Sequence, residues 1–274
     1  MKATLTALTR IEFVKLWHKK ESYLYFVPAL LPILYGVGFA SGSASFTYRG
    51  DPMSHMTFIQ TMFFMSHSLF IGYVFLIIVA ARAVGSEVED HSLLLYVPRV
   101  NDRAKQLAAK ILAVLAFALV GVAAQALACV VGYYGLLVHS RIGSGAFAVG
   151  SDLPDAAAVV IESSLFLVVA VLIGVVLSLY TKTLVAVAAG TVALVVLTFA
   201  SQLAPTAYLI PTFYLVRSID IIHDAQPGAT AGNPTIALFT DSLPVLVALT
   251  ALVTAVWAVT LGLVAHRQFT TIDL

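Results

Sequence analysis

Thirty consecutive residues, Ile111 to Ser140, contain no Asp, Glu, Lys or Arg. Five further stretches share that property: Ser22 to Tyr48, Pro52 to Ala81, Ser163 to Thr181, Thr183 to Val216 and Ser242 to His266. A helix needs roughly 20 apolar residues to cross the hydrocarbon core of a bilayer, so each run is about long enough to do so. Only 11% of the 274 residues are charged and 60% are hydrophobic, with a mean hydropathy of +0.97, far from the composition of a water-soluble domain. The chain is therefore predicted to be an all-α integral membrane protein with six transmembrane helices, at 22–41, 57–81, 109–137, 156–180, 184–204 and 243–265. Residues 1–274 read as one transmembrane domain, with no repeat, linker or second soluble domain.

Six spans place both termini on one side, and the Lys and Arg distribution chooses the side. With the N-terminus inside, the cytoplasmic pieces hold Lys2, Arg10, Lys15, Lys19, Lys20, Arg82, Arg99, Arg103, Lys105, Lys110, Lys182 and Arg267, against Arg49, Arg141 and Arg217 outside. Both termini and the segment between spans two and three are thus expected to be cytoplasmic. The segment 205–241, between spans five and six, is then extracytoplasmic, with room for a short re-entrant or interfacial helix around Tyr208 to Ile222. "QPGATAGNP" inside it is a surface loop.

The first 21 residues mix charges with apolar residues and lack a clear small-residue cleavage pattern, so they read as retained rather than as a removed signal. Leu5, Thr9, Phe13, Leu16 and Trp17 share one helical face, and Glu12, Lys15, His18 and Lys19 gather opposite. Such a helix can lie in the headgroup layer as an amphipathic interfacial helix; the alternative is a plain basic tail. Pro28 and Pro32, four residues apart in span one, are expected to bend it. The bend could serve gating or packing.

No phosphate-binding loop of the common ATPase type, no H-E-x-x-H, no paired cysteines and no G-x-S-x-G occur in the chain. No catalytic residue, bound metal or nucleic-acid partner is expected. Cys129, the single cysteine, reads as a packing residue. Ionisable groups at bilayer depth are costly unless satisfied, which singles out Glu162 in span four, roughly 9 Å from its outer end at 1.5 Å per residue. It either lines a substrate path or pairs across a subunit interface, or it is protonated or reaches outer water. Gln60 and His67 share a face of span two and could line one cavity or hydrogen-bond between helices.

Against this background the stretch from Arg82 to Lys110 is anomalous: Arg82, Glu87, Glu89, Asp90, Arg99, Asp102, Arg103, Lys105 and Lys110 crowd into it. Ser86 followed by Glu89 fits a capping box, predicting a helix that starts near Glu87 with its acids in the first turn. Leu93, Leu94 and Leu95 supply apolar surface, Pro98 ends the helix, and Asn101 caps a second helix running through Arg103 into span three. An apolar-sided cytoplasmic helix docks on this protein's own membrane domain, on lipid, or on a partner.

Glu87, Glu89, Asp90, Leu93, Leu95, Pro98, Val100, Arg103 and Lys110 resemble the E-x-E-D-G-T-L-x-x-L-L-x-x-P-V-S-R pattern of permease subunits of type-2 ATP-binding-cassette (ABC) exporters. His91-Ser92 replaces that pattern's Gly-Thr, and Asn101-Asp102 precedes the basic pair. "RIEFVKLWHKK" also resembles the opening of the lantibiotic- and bacitracin-immunity branch. The resemblance covers the whole chain and implies a permease domain whose loop 82–108 is a coupling element. Glu87, Glu89, Asp90, Ser92, Leu93, Leu94, Leu95, Pro98 and Arg103 would engage a separate ATPase. It further implies two cytoplasmic ABC ATPase subunits, a second copy of the permease or a homologue, ATP and Mg held by the ATPase rather than by this chain, and a place in the bacterial inner (plasma) membrane. The cargo would be an antimicrobial peptide, drug or lipid. The rival readings are a proton-coupled secondary transporter using Glu162 and a non-transporting membrane scaffold or sensor.

Overall fold

A computed structural model describes residues 4–41, 52–90, 103–203, 206–224 and 242–271. Among the described residues the α-helices are α1 (Leu5–His18), α2 (Leu31–Ala40), α3 (His55–Ser68), α4 (Ile71–Glu89), α5 (Arg103–Gly135), α6 (Asp152–Tyr180), α7 (Thr183–Ala200), α8 (Pro211–Asp224) and α9 (Leu243–Thr271). Six helices are long and apolar enough to cross a membrane: Lys20–Ala40, Ile71–Glu89, Arg103–His139, Asp152–Tyr180, Thr183–Ala200 and Leu243–Thr271.

Helix α6 is the hub, packing against α3, α4, α5, α7, α8 and α9. From Leu165 to Leu177 its side chains are apolar all round, the pattern of a helix surrounded by others. In its most apolar stretch 67% of residues are buried, against 17% in α7 and in α9. Those outer helices present Leu184, Phe199, Leu252 and Leu263 to the surroundings. An apolar surface this extensive suits lipid rather than water, and the chain is that of a multi-pass membrane protein.

Span one begins as a 3₁₀ helix, Lys20–Leu30, and becomes α-helical at Leu31, between Pro28 and Pro32. Pro28 cannot donate to the carbonyl four residues back, so the tighter winding persists to that point. Span one crosses α5 closely. A Cβ on Gly132 would lie 2.6 Å from the Pro32 carbonyl oxygen, and one on Gly121 would lie 2.1 Å from the Tyr25 ring. Backbones approach this closely only where no side chain intervenes.

Two expectations change. Span two, predicted as one helix over 57–81, is broken into α3 and α4 at Leu69 and Phe70. Phe70 has φ 56°, the left-handed region that side chains disfavour. The capping box at Ser86 is also overturned. Helix α4 runs straight through it to Glu89, and the Ser86 hydroxyl donates to the Arg82 carbonyl one turn back. In a continuous helix that bond is open to any serine, so S-x-x-E marks no start here. Glu87 and Glu89 consequently sit in the last turn of α4, the end where the helix dipole disfavours acids.

The two ends of the bundle are distinct. At one, the Met53 and His55 amides donate to the carbonyls of Ile142 (2.7 Å) and Ala146 (3.0 Å), and the Tyr133 hydroxyl donates to the Met53 carbonyl at 2.9 Å. At the other lie α1, the end of α4, the start of α5, the α6–α7 turn and the end of α9. A helix does form within the predicted 208–222 region, as α8, but it is packed through Phe213, Leu215, Ser218 and Ile219. The "QPGATAGNP" loop lies outside the described residues.

Candidate functional site

The misplaced acids of α4 are answered by tertiary contacts. Lys110, on the second turn of α5, is only 3% exposed. Its ammonium donates to Glu12 Oε2 at 2.9 Å and to the Ala83 carbonyl at 3.2 Å, and it pairs with Glu87 Oε2 at 2.8 Å. Three donors meet three acceptors. Lys15 lies 2.8 Å from Glu12 Oε1 and 3.3 Å from Glu87 Oε1. The result is a four-member knot of alternating charge in which both carboxylates bridge both ammoniums. It ties α1 to the end of α4 and the start of α5, the two helices that flank segment 91–102.

The neighbouring contacts have the same character. Glu89 accepts from the Thr183 amide at the N-terminus of α7, where a carboxylate is favoured. Arg103 donates to the Thr270 carbonyl at 3.3 Å, at the C-terminal end of α9, where a cation is favoured. Asp90 is exposed and caps α4 through its amide, which donates to the Ser86 carbonyl at 2.9 Å. Ser92, Leu93, Leu94, Leu95 and Pro98 lie outside the described residues.

Helix α1 differs from the simple amphipathic reading. Phe13 packs tilted and Trp17 edge-on against Phe117, with ring centroids at 6.3 and 6.0 Å, and Leu16 is buried. Glu12 and Lys15, expected on an outward polar face, also turn inward, while Ile11 and Val14 are exposed. Pairing in the knot explains the inversion: two inward charges are tolerable only because Glu87 and Lys110 meet them.

Burial opposes ionisation of Glu12, but the charge of Lys110 and the hydrogen bonds from Lys15 and Lys110 outweigh it and hold the carboxyl below its usual 4.5. Burial likewise opposes charging of Lys15, yet its bond to Glu12 and the charges of Glu12 and Glu87 hold it above the usual 10.5. Because Glu12 is depressed, its contribution is complete above the ordinary carboxyl range and lost as pH falls through its lowered value. Because Lys15 is raised, its contribution is complete below the ordinary lysine range and lost as pH climbs through its raised value. Docking of α1 is therefore expected to weaken only as pH falls below the ordinary carboxyl range or climbs above the ordinary lysine range. Trp17 emission in a Trp257→Phe chain measures this, and emission that is unchanged on acidification would contradict it.

Within the membrane-spanning part, Glu162 is 1% exposed. Its Oε1 lies 3.1 Å from the Ser218 hydroxyl of α8 and 3.1 Å from the Thr250 hydroxyl of α9. It joins three helices and does not reach solvent. His67 lies elsewhere, hydrogen-bonded through Nδ1 to the Tyr73 hydroxyl at 2.6 Å. Gln60 is buried but is not among the described residues around the His67 cavity. Gln60 and His67 thus do not line one cavity, and Glu162 bonds to other helices than His67 does. Lys110, Glu12 and Lys15 were not singled out as a set, although a lysine close to a long apolar run and a Glu–Lys pair at i, i+3 were the available signals. Among the described residues no group of three or more His, Cys, Asp or Glu could hold a metal ion. In comparisons with known proteins, no family model matches the chain and no curated protein matches it.

Proposed function

We propose that this chain is the membrane-spanning permease subunit of an ABC exporter, moving an amphipathic or hydrophobic compound with energy supplied by separate ATPase subunits. The observation that carries the reading is the charged knot. Glu87 and Lys110 stand on the two helices that enter and leave segment 91–102, and both are paired to Glu12 and Lys15 of α1. A partner that pushes on the segment would move two spans and α1 as one unit. The knot's end of the bundle faces the bacterial cytoplasm in this reading, with the termini inside, and α1 lies along the membrane surface. Two ATPases carry ATP and Mg, and a second permease completes the pathway. Self-protection against an antimicrobial peptide is the use that the sequence resemblance favours.

Affinity purification of the tagged full chain from its native membrane tests the proposal. A nucleotide-binding subunit is expected to accompany the wild-type chain and to be lost from a Leu93→Asp or Leu94→Asp chain that still reaches the membrane. Recovery of the chain without any ATP-hydrolysing partner would overturn the reading.

A further inference from the structure

Helix α4 starts with no side chain capping it: its N-cap residue is Phe70, in the left-handed conformation. The first bond onto that residue comes from the Val74 amide, which donates to the Phe70 carbonyl at 3.0 Å. The amides of Ile71, Gly72 and Tyr73 precede that bond and have no carbonyl partner within the helix. Gly72 and Tyr73 line a partly open cavity of about 40 Å³ bordered by span one, α3, α4, α5 and α6. A space of about 10–15 Å³ suffices for one water, so this one admits a small polar group.

A second, independent observation points into the same cavity. The Ser163 hydroxyl lines it, is carried by a residue only 6% exposed, and has no hydrogen-bond partner among the described residues. Many helical hydroxyls in this chain settle on a carbonyl one turn back, as Ser164 does on Val160 at 2.6 Å and Thr191 on Val187 at 2.9 Å, although Thr212 and Thr254 do not. Ser163 does not either, and an unpaired buried hydroxyl is costly. Around it the other groups are engaged. Tyr73 donates to the Ser163 carbonyl at 3.3 Å, and Gln125 Nε2 donates to Ser66 Oγ at 2.7 Å and to the Met62 carbonyl at 3.2 Å. Both amide hydrogens of Gln125 are used, which leaves its oxygen as an acceptor. Among the described residues no Asp, Glu, Lys or Arg lines the cavity; His67 does, and Phe63, Pro28, Val122 and Leu167 supply apolar wall.

We propose that the break in span two forms a binding site for a small neutral hydrogen-bonding group, a hydroxyl or a carboxamide, held by Ser163 and the first turn of α4. An ion is disfavoured because no carboxylate, ammonium or guanidinium in the described wall would balance its charge at bilayer depth, and the His67 ring is already bonded to the Tyr73 hydroxyl. Water and the hydroxyl or amide of a membrane-dissolved molecule share this chemistry, and the experiment separates them.

The test uses the full chain in lipid nanodiscs with Ser163→Cys. The wild type is its own control, since its single thiol, Cys129, is buried. Methyl methanethiosulfonate, small and neutral, is expected to label Ser163→Cys at least about tenfold faster than the wild type, thiol reactivity following access. The anionic sulfonatoethyl reagent is expected to show no such difference. Slowing of the neutral reaction by N-methylacetamide identifies a site open to membrane-dissolved amides, and an unslowed reaction identifies a water-filled one; either supports the site. If Ser163→Cys does not fold, Ser164→Cys, on the same wall, takes its place. Labelling no faster than Cys129, or equal labelling by the anionic reagent, would overturn the proposal.

Discussion

Lys110→Met is expected to destabilise the chain by about 3–5 kcal/mol, the range for removing one partner of a buried ion pair. The ammonium is 3% exposed and faces two carboxylates that are themselves 16% and 18% exposed. Its loss removes one of the two ammoniums that Glu12 and Glu87 share. The double substitution Lys110→Met with Glu87→Gln is expected to recover most of the loss, because it restores charge balance to the knot. Arg82→Gln is the contrasting case: its pair with Glu21 is 46% and 39% exposed, and exposed pairs contribute about 0–1 kcal/mol. Thermal unfolding of the four chains in one detergent checks the order. Equal loss in Lys110→Met and Arg82→Gln would show that the knot holds nothing together.

The second large effect concerns Glu162. Glu162→Ala removes the acceptor shared by Ser218 and Thr250 and opens a space between α6, α8 and α9, with an expected loss of about 2–4 kcal/mol. Glu162→Gln keeps a carbonyl at the same place and is expected to be close to wild type in both stability and ATP-driven transport. A proton-coupled transporter using this carboxyl would instead lose transport in Glu162→Gln while remaining folded. Transport by the Gln chain therefore separates the exporter reading from its rival, and Glu162→Ala reports how much the junction contributes to packing.

Both effects rest on residues that were visible in the sequence with partners that were not. The spans were legible because the bilayer imposes a ruler: charge-free runs of sufficient length became Arg103–His139, Asp152–Tyr180, Thr183–Ala200 and Leu243–Thr271. The break in span two was not legible, since neither Gly nor Pro stands at Leu69 or Phe70 and the left-handed residue is a phenylalanine. Ser86 misled because a serine one turn from an arginine carbonyl serves a continuous helix as readily as a cap. Glu87 stood out as a charge at the edge of an apolar span, but its pairing with Lys15 and Lys110 joins residues 72 and 23 positions away and exists only once three helices pack. Glu162 was found by its cost at bilayer depth, whereas Ser218 belongs to a helix in a segment read as largely extracytoplasmic.

In the proposed exporter the knot would carry the motion of an ATPase partner into α1 and the spans. Ile11 is exposed on α1, one turn from Lys15 of the knot, so an Ile11→Cys chain bearing a fluorophore, reconstituted with any co-purified ATPase, reports that motion directly. The account predicts that ATP changes the fluorophore's emission in this chain. In the same chain carrying Lys110→Met and Glu87→Gln, ATP is hydrolysed while the emission stays still. An ATP response of equal size in both chains would contradict it.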